Sequence, residues 1–409
     1  MSLLIHNIGL LATPLGFEAK AGKDQGDVFF LKNANIFVRD GLIEKIGQGK
    51  PDEYADQLIN AEGCLVTPGL VDAHTHLVFG GWREHELPLK LEGVPYLDIL
   101  AQGGGILSTV RATRAATREE LKNKALKILS GMLRHGTTTC EAKSGYGLNL
   151  ETELKQLRTV KDLNKAQPIR LVSTFMGAHA LPEEYRYDRN AYIDLLIHQM
   201  LPKVAEEKLA EFCDIFCESG VFSADEARRV LKAAQMLGLG AKIHADEINA
   251  IGGSELAGEL GAVSAEHLIA ATDGGIAALA RGGVIACLLP ATSFYLGKPY
   301  ARARDMLAQG VPLCIATDFN PGSCPSFNLQ LAMNLACWHY RLLPAEVLTG
   351  VTLNAAAAIG LQKEIGTLQA GKRADIVLWE ADNLDYIFYR FGENLVKKVI
   401  KDGRLVCEN

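Results

Sequence analysis

Several things are missing from this chain of 409 residues, and each absence narrows what it can be. No basic tract stands out and the formal net charge is −6, so nucleic acid is not an expected partner. No apolar run is long enough to span a bilayer. The N-terminus MSLLIHNIGLLATPLG lacks the basic start and cleavage pattern of a secretory signal, and no membrane partner is expected. The nine cysteines show no paired spacing, which points to a reducing cytoplasm rather than a disulfide framework. Cys213 and Cys217 in EFCDIFCES lie in an apolar strand pattern with no matching pair elsewhere. They, with Cys287, Cys314 and Cys337, are expected to be small buried hydrophobes. Low-complexity sequence is absent too: 48% hydrophobic and 22% charged residues describe a soluble globular chain.

What is present is a regular alternation. The two ends read as short strands separated by Gly and Asp turns, such as Asp27 to Lys32, Leu42 to Ile46, and the hairpin-like Lys401-Asp402-Gly403-Arg404. The middle alternates strand and helix. Thr117 to Glu120 and Ser223 to Glu226 read as capping boxes that open helices, the first one stopping at Gly136. Counting Leu65 to Val71 as one buried strand and continuing to the run from Val311 to Asp318 gives eight strands with helices between them. The expected architecture is α/β: a (β/α)₈ barrel over 66–358, with a small β-sandwich built from 1–65 and 359–409.

In such a barrel, reacting residues sit where strands end. His74 and His76 follow the first strand, Lys143 and Tyr146 the second, His179 the third and Glu218 the fourth. His244 and Glu247 follow the fifth, His267 the sixth, and Asp318 with Asn320 the eighth. Residues two apart on a strand share a face, so His74 and His76 project together. His74, His76, His244 and Asp318 make a donor set of three nitrogens and one oxygen that suits zinc or iron. Other positions have a plainer alternative. Asp318 could only cap the Asn-Pro-Gly turn, and His267 could be a satisfied core histidine rather than a catalytic one. Arg83 could be a surface cation, or a fork for a substrate carboxylate. Asn320, Gly322 and Ser323 could simply turn the chain, or could receive a polar substrate end, while Trp82 and Tyr96 are candidates to line the pocket.

The ordered segments HTHLVFGGWREHE, QGGGILSTVRATR, EAKSGYGL, STFMGAHALP, HADEINAIGG and TDFNPGSCPSFNLQ resemble the amidohydrolase superfamily, and within it the imidazolonepropionase family. That resemblance implies one divalent or trivalent ion per subunit, zinc or iron, and a small substrate carrying a carboxylate. It implies hydrolysis of a ring carbon–nitrogen bond in 4-imidazolone-5-propanoate, an intermediate of histidine breakdown, giving N-formimidoyl-L-glutamate. Hydroxide would attack the ring carbonyl, available because metal lowers the pKa of bound water from 15.7 toward about 7. His267 or Asp318 would take the proton, Glu247 would hydrogen-bond a ring nitrogen, Arg83 would hold the propanoate, and Tyr146 and His179 would face the substrate.

Two-metal members of the superfamily use a fourth-strand lysine, which FCDIFCESGVF lacks. A single metal is therefore expected, with Glu218 and Lys143 in structural roles. A nucleobase deaminase of the same superfamily is the alternative enzyme, and a non-catalytic assembly protein the alternative class. The run from Phe327 to Tyr340 is expected to pack on the barrel, and a homodimer is compatible with it.

Overall fold

The computed structural model describes residues 1–94, 98 and 103–409. Its inner sheet has eight strands in sequence order, all parallel. They are Leu70–Asp72, Thr137–Lys143, Arg170–Ala178, Phe212–Cys217, Gly240–Ala245, Ser264–His267, Ile285–Leu288 and Leu313–Ile315. Each is buried along almost its whole length, because helices cover the outside and side chains fill the inside. The ladder does not continue from the eighth strand to the first. That seam is closed by a single bridge between Thr75 and Phe319. There the Asp318 amide donates to the His74 carbonyl (3.1 Å), and the His76 amide to the Phe319 carbonyl (2.8 Å). Three of the four residues expected to bind metal, His74, His76 and Asp318, thus sit on the barrel's own closure, and His244 lies on the fifth strand.

Helices Arg118–Arg134 and Ala224–Met236 both begin with the expected capping boxes, in which side chain and backbone of the first and fourth residues exchange hydrogen bonds. The terminal segments form a separate mixed sheet, with Ser2–Pro14 at its centre and Val28–Arg39 beside it. Val396–Lys401 and Arg404–Glu408 pair as the expected hairpin. Asp402 and Gly403 both have positive φ (48° and 73°), as a tight turn that matches strand twist requires.

Two strand boundaries differ from expectation. The run Leu65 to Val71 is not one strand. Leu65–Pro68 joins the terminal sheet, pairing with Ile376–Trp379, and Leu70–Asp72 opens the barrel. Gly69 is the hinge: its amide donates to the Asp375 carbonyl (2.8 Å), and a Cβ there would lie 2.3 Å from Thr138 Oγ1. Both halves are buried, so hydrophobicity gives no sign of the break. The eighth strand pairs only through Ile315, and Asp318 (φ 55°) turns away from it.

The helix Leu329–Tyr340 packs one face on the barrel and leaves Trp338 60% exposed on the other, so Cys337 is only partly covered. Cys213, Cys217, Cys287 and Cys314 are fully buried, and no cysteine is in a disulfide. Among the described residues no helix is long and apolar enough to cross a membrane.

Candidate metal centre

The strand ends bring the histidines together. The ring centroids of His74 and His76 are 5.5 Å apart, and those of His74 and His244 are 4.6 Å apart. His76 stacks on His179 at 4.9 Å, and His244 lies 5.2 Å from His267. Ligand atoms of His74, His76 and Asp318 all fall within 4.8 Å of one another, as do those of His74, His244 and His267. His74 is common to both groups. A third such group, His74, Glu266 and Cys287, lies deeper.

The protonation states of His74 and His76 suit metal binding. Burial holds the His74 and His76 imidazoles well below their ordinary range, so they are neutral and keep a lone pair. His74 Nδ1 faces Glu266 Oε2 at 2.8 Å. Its Nε2 is buried, has no hydrogen-bond partner, and lies 3.4 Å from Asp318 Oδ1. Asp318 accepts a hydrogen bond from Thr292 Oγ1 (2.7 Å) on its other oxygen. A buried, unpartnered imidazole nitrogen beside a carboxylate is a costly arrangement in an empty core and an apt one for a cation. The residues present fit a divalent ion.

Beneath this rim runs a buried layer of charge. Lys143 Nζ pairs with Asp214 Oδ2 (2.7 Å) and Glu141 Oε2 (2.9 Å), and Lys242 Nζ with Glu141 Oε1 (2.8 Å). Asp214 Oδ2 also lies 3.0 Å from His244 Nδ1. Burial would depress the His244 imidazole, but Asp214 beside it raises it instead. Asp72 accepts from Thr317 Oγ1 (2.6 Å) and from the Thr317 amide (3.1 Å), tying the two seam strands together. Lys143 is thus an ion-pairing residue, as expected. Asp214, Glu141, Glu266 and Lys242 were not anticipated. Their mark in the sequence is a charge inside a short strand pattern, most plainly Asp214 in FCDIFC.

Glu247 lies just past the fifth strand, with Oε2 3.6 Å from His267 Nε2. Burial, with Glu218 nearby, pushes its carboxyl up to about 7, so it can hold or release a proton near neutrality. Burial likewise lowers His267 to about 4 and His179 to about 3. His267, Leu268 and Asp318 all have positive φ (69°, 59° and 55°), an uncommon conformation for residues other than glycine. Such strain persists where surrounding structure imposes it, and these three of the twelve such residues among the described ones lie at the site.

The other expected residues divide. Glu218 accepts from the Ile248 amide (2.9 Å) and Asn249 Nδ2 (3.1 Å), which secures the loop carrying Glu247. Tyr146 is buried, with its ring 5.8 Å from His76 and 5.3 Å from His179. Its amide donates to Gln156 Oε1 (3.2 Å), while Gln156 Nε2 donates to the Val78 carbonyl (2.7 Å), so one outer-helix residue ties two rim loops. Arg83 is half-buried, its Nε without a hydrogen-bond partner, and its guanidinium lies across Gly322. Asn320 Oδ1 accepts from the amides of Gly322 (2.8 Å) and Ser323 (2.7 Å), so these amides already shape the turn. Ser323 Oγ accepts from Asn320 Nδ2 (2.8 Å) and keeps its own proton. Trp82 is 39% exposed and packs on Phe79 and Phe319. Tyr96 lies outside the described residues.

Against known proteins, residues 65–406 match the model of the amidohydrolase family. The chain is 52% identical to an imidazolonepropionase of Alkaliphilus metalliredigens, over 100% of this chain and 98% of that relative. It is 54% identical to an imidazolonepropionase of Treponema denticola, covering 91% and 92% of the two. Among solved structures, Escherichia coli guanine deaminase superposes with a TM-score of 0.77 at 16% identity, covering 100% of this chain and 99% of that one. At that identity the likeness is one of fold.

Proposed function

The chain belongs to the amidohydrolase family and, within it, to the imidazolonepropionases, and from that membership we propose that it hydrolyses 4-imidazolone-5-propanoate to N-formimidoyl-L-glutamate. The observation that carries the substrate is Arg83. A partly buried guanidinium with an unpartnered Nε, set beside the histidine cluster, is a natural receptor for a carboxylate. A neutral nucleobase offers it acceptors but no negative charge, which favours the propanoate-bearing ring over the deaminase alternative.

His74, His76, His244 and Asp318 would hold one ion, zinc or iron. Such an ion, when bound, acidifies water and polarises a carbonyl oxygen. The chain's own residues do the rest. Arg83 grips the propanoate, helped by the free proton of Ser323 Oγ, while Asn320 and Gly322 give that loop its shape. Tyr146 and His179 bound the ring against His76. Either His267 or Asp318 takes the single proton given up by the attacking water. Glu247 hydrogen-bonds a ring nitrogen and returns a proton to it as the carbon–nitrogen bond breaks, which its near-neutral titration allows. The barrel, whose first strand begins at Leu70, carries this chemistry and the terminal segments frame it, in a cytoplasm that leaves all nine cysteines free.

The test is loss of the ultraviolet absorbance of 4-imidazolone-5-propanoate on adding purified protein, run beside an assay for ammonia from guanine and cytosine. Loss of absorbance without ammonia is expected. Ammonia release with a stable imidazolone signal would replace this substrate with a nucleobase.

A further inference from the structure

Lys124 belongs to the outer helix Arg118–Arg134, one layer away from the histidine cluster, and nothing in the chemistry above requires it. Yet its ammonium does not reach into solvent as most lysines do. It donates to the Gly80 carbonyl at 2.6 Å, and lies 3.8 Å from the centroid of the Phe79 ring and 4.7 Å from that of Trp82. The other polar group of Gly80 is also held: its amide donates to Thr113 Oγ1 at 2.9 Å. Phe79 and Trp82 meet edge to face at 4.8 Å, and both rings continue to Phe319, at 6.0 and 5.9 Å, in the loop after the eighth strand. Arg83 is the next residue after Trp82.

We propose that Lys124 is a positioning residue that fixes the Phe79–Arg83 loop by a cation–π and carbonyl clamp, and so sets the guanidinium of Arg83 for the substrate carboxylate. The inference rests on the role given to Arg83 above. Both contacts need a cation: a ring face attracts positive charge, and a desolvated one adds to affinity. A methionine would fill the same space without either attraction. The clamp acts on the substrate's remote carboxylate and not on the ring that reacts. Its loss therefore weakens binding and leaves the chemical step largely intact.

A double-mutant cycle on the metal-loaded protein tests this with K124M, R83M and the pair, reading KM and kcat for 4-imidazolone-5-propanoate with the melting temperature of each. K124M is expected to raise KM by about tenfold with kcat within about twofold of the parent, and K124R to restore part of the loss. In the R83M background K124M is expected to change KM no further, because the clamp then has nothing to aim. An unchanged KM in R83M overturns the role of Arg83 itself. A raised KM in R83M, with K124M either silent alone or equally harmful in both backgrounds, overturns the clamp and leaves Arg83 standing. A K124M loss confined to kcat or to melting temperature also overturns it, since that marks a merely structural lysine.

Discussion

At the scale of single residues, the site depends on what is small as much as on what is charged. A Cβ added to Gly322 would sit 0.9 Å from Arg83 Nη2, so even alanine must displace the guanidinium. G322A is expected to raise KM by about tenfold or more while kcat falls less, because a misplaced fork loses a charge-assisted contact. Steady-state kinetics check it, and an unchanged KM would mean that the carboxylate is held elsewhere. The ligand-type residues were legible in sequence because a pair of histidines two apart at a strand end has few structural uses. The positive φ values of His267, Leu268 and Asp318 were not, since ordinary side chains carry no local mark of a left-handed backbone. Asn320 was legible as a residue that either turns the chain or receives a polar substrate end, and its side-chain amide is engaged in folding the turn.

At the scale of elements, the barrel strands serve two layers. Their ends present the histidines, and the residues just beneath form the buried ion-pair layer of Glu141, Lys143, Asp214, Lys242 and Glu266. Breaking a buried pair from one side leaves the other charge uncompensated, so K143M is expected to cost about 3–5 kcal/mol. Urea unfolding measures it as a lower midpoint at unchanged slope. A midpoint equal to the parent's would show that Asp214 and Glu141 are satisfied without the lysine. Capping boxes and the terminal hairpin were readable because their signals are local. The split at Gly69 was not: two sheets share one apolar run, and the pairing partner of Leu65–Pro68 lies about 300 residues away in sequence, in Ile376–Trp379.

At the scale of the whole molecule, Glu364 joins the barrel to the terminal sheet. Its Oε2 pairs with Arg170 Nη1 (2.8 Å) at the start of the third barrel strand and with Arg373 Nε (3.0 Å), and Arg373 Nη1 reaches Asp402 Oδ1 (3.0 Å). The hydrogen bond from Arg170, followed by that from Arg373, lowers the Glu364 carboxyl from 4.5 to about 2 against the opposing effect of burial. A depressed carboxylate stabilises the fold fully above its unfolded pKa and loses that effect as pH falls through the folded value. The melting temperature of E364Q is therefore expected to lie below the parent's at pH 7, with a gap that narrows progressively once pH drops under about 4.5. The gap is modest, since these groups are partly exposed and screened. A gap independent of pH would assign the loss to packing instead of charge.

The account as a whole turns on a histidine–aspartate cluster that works with a bound ion. The most direct test follows the absorbance of 4-imidazolone-5-propanoate with protein as purified, after chelation, and after adding back zinc or iron, with metal counted per chain in each sample. The account predicts turnover that stops when one ion per chain is removed and returns when either metal is restored. Full turnover by protein shown to be metal-free would contradict it.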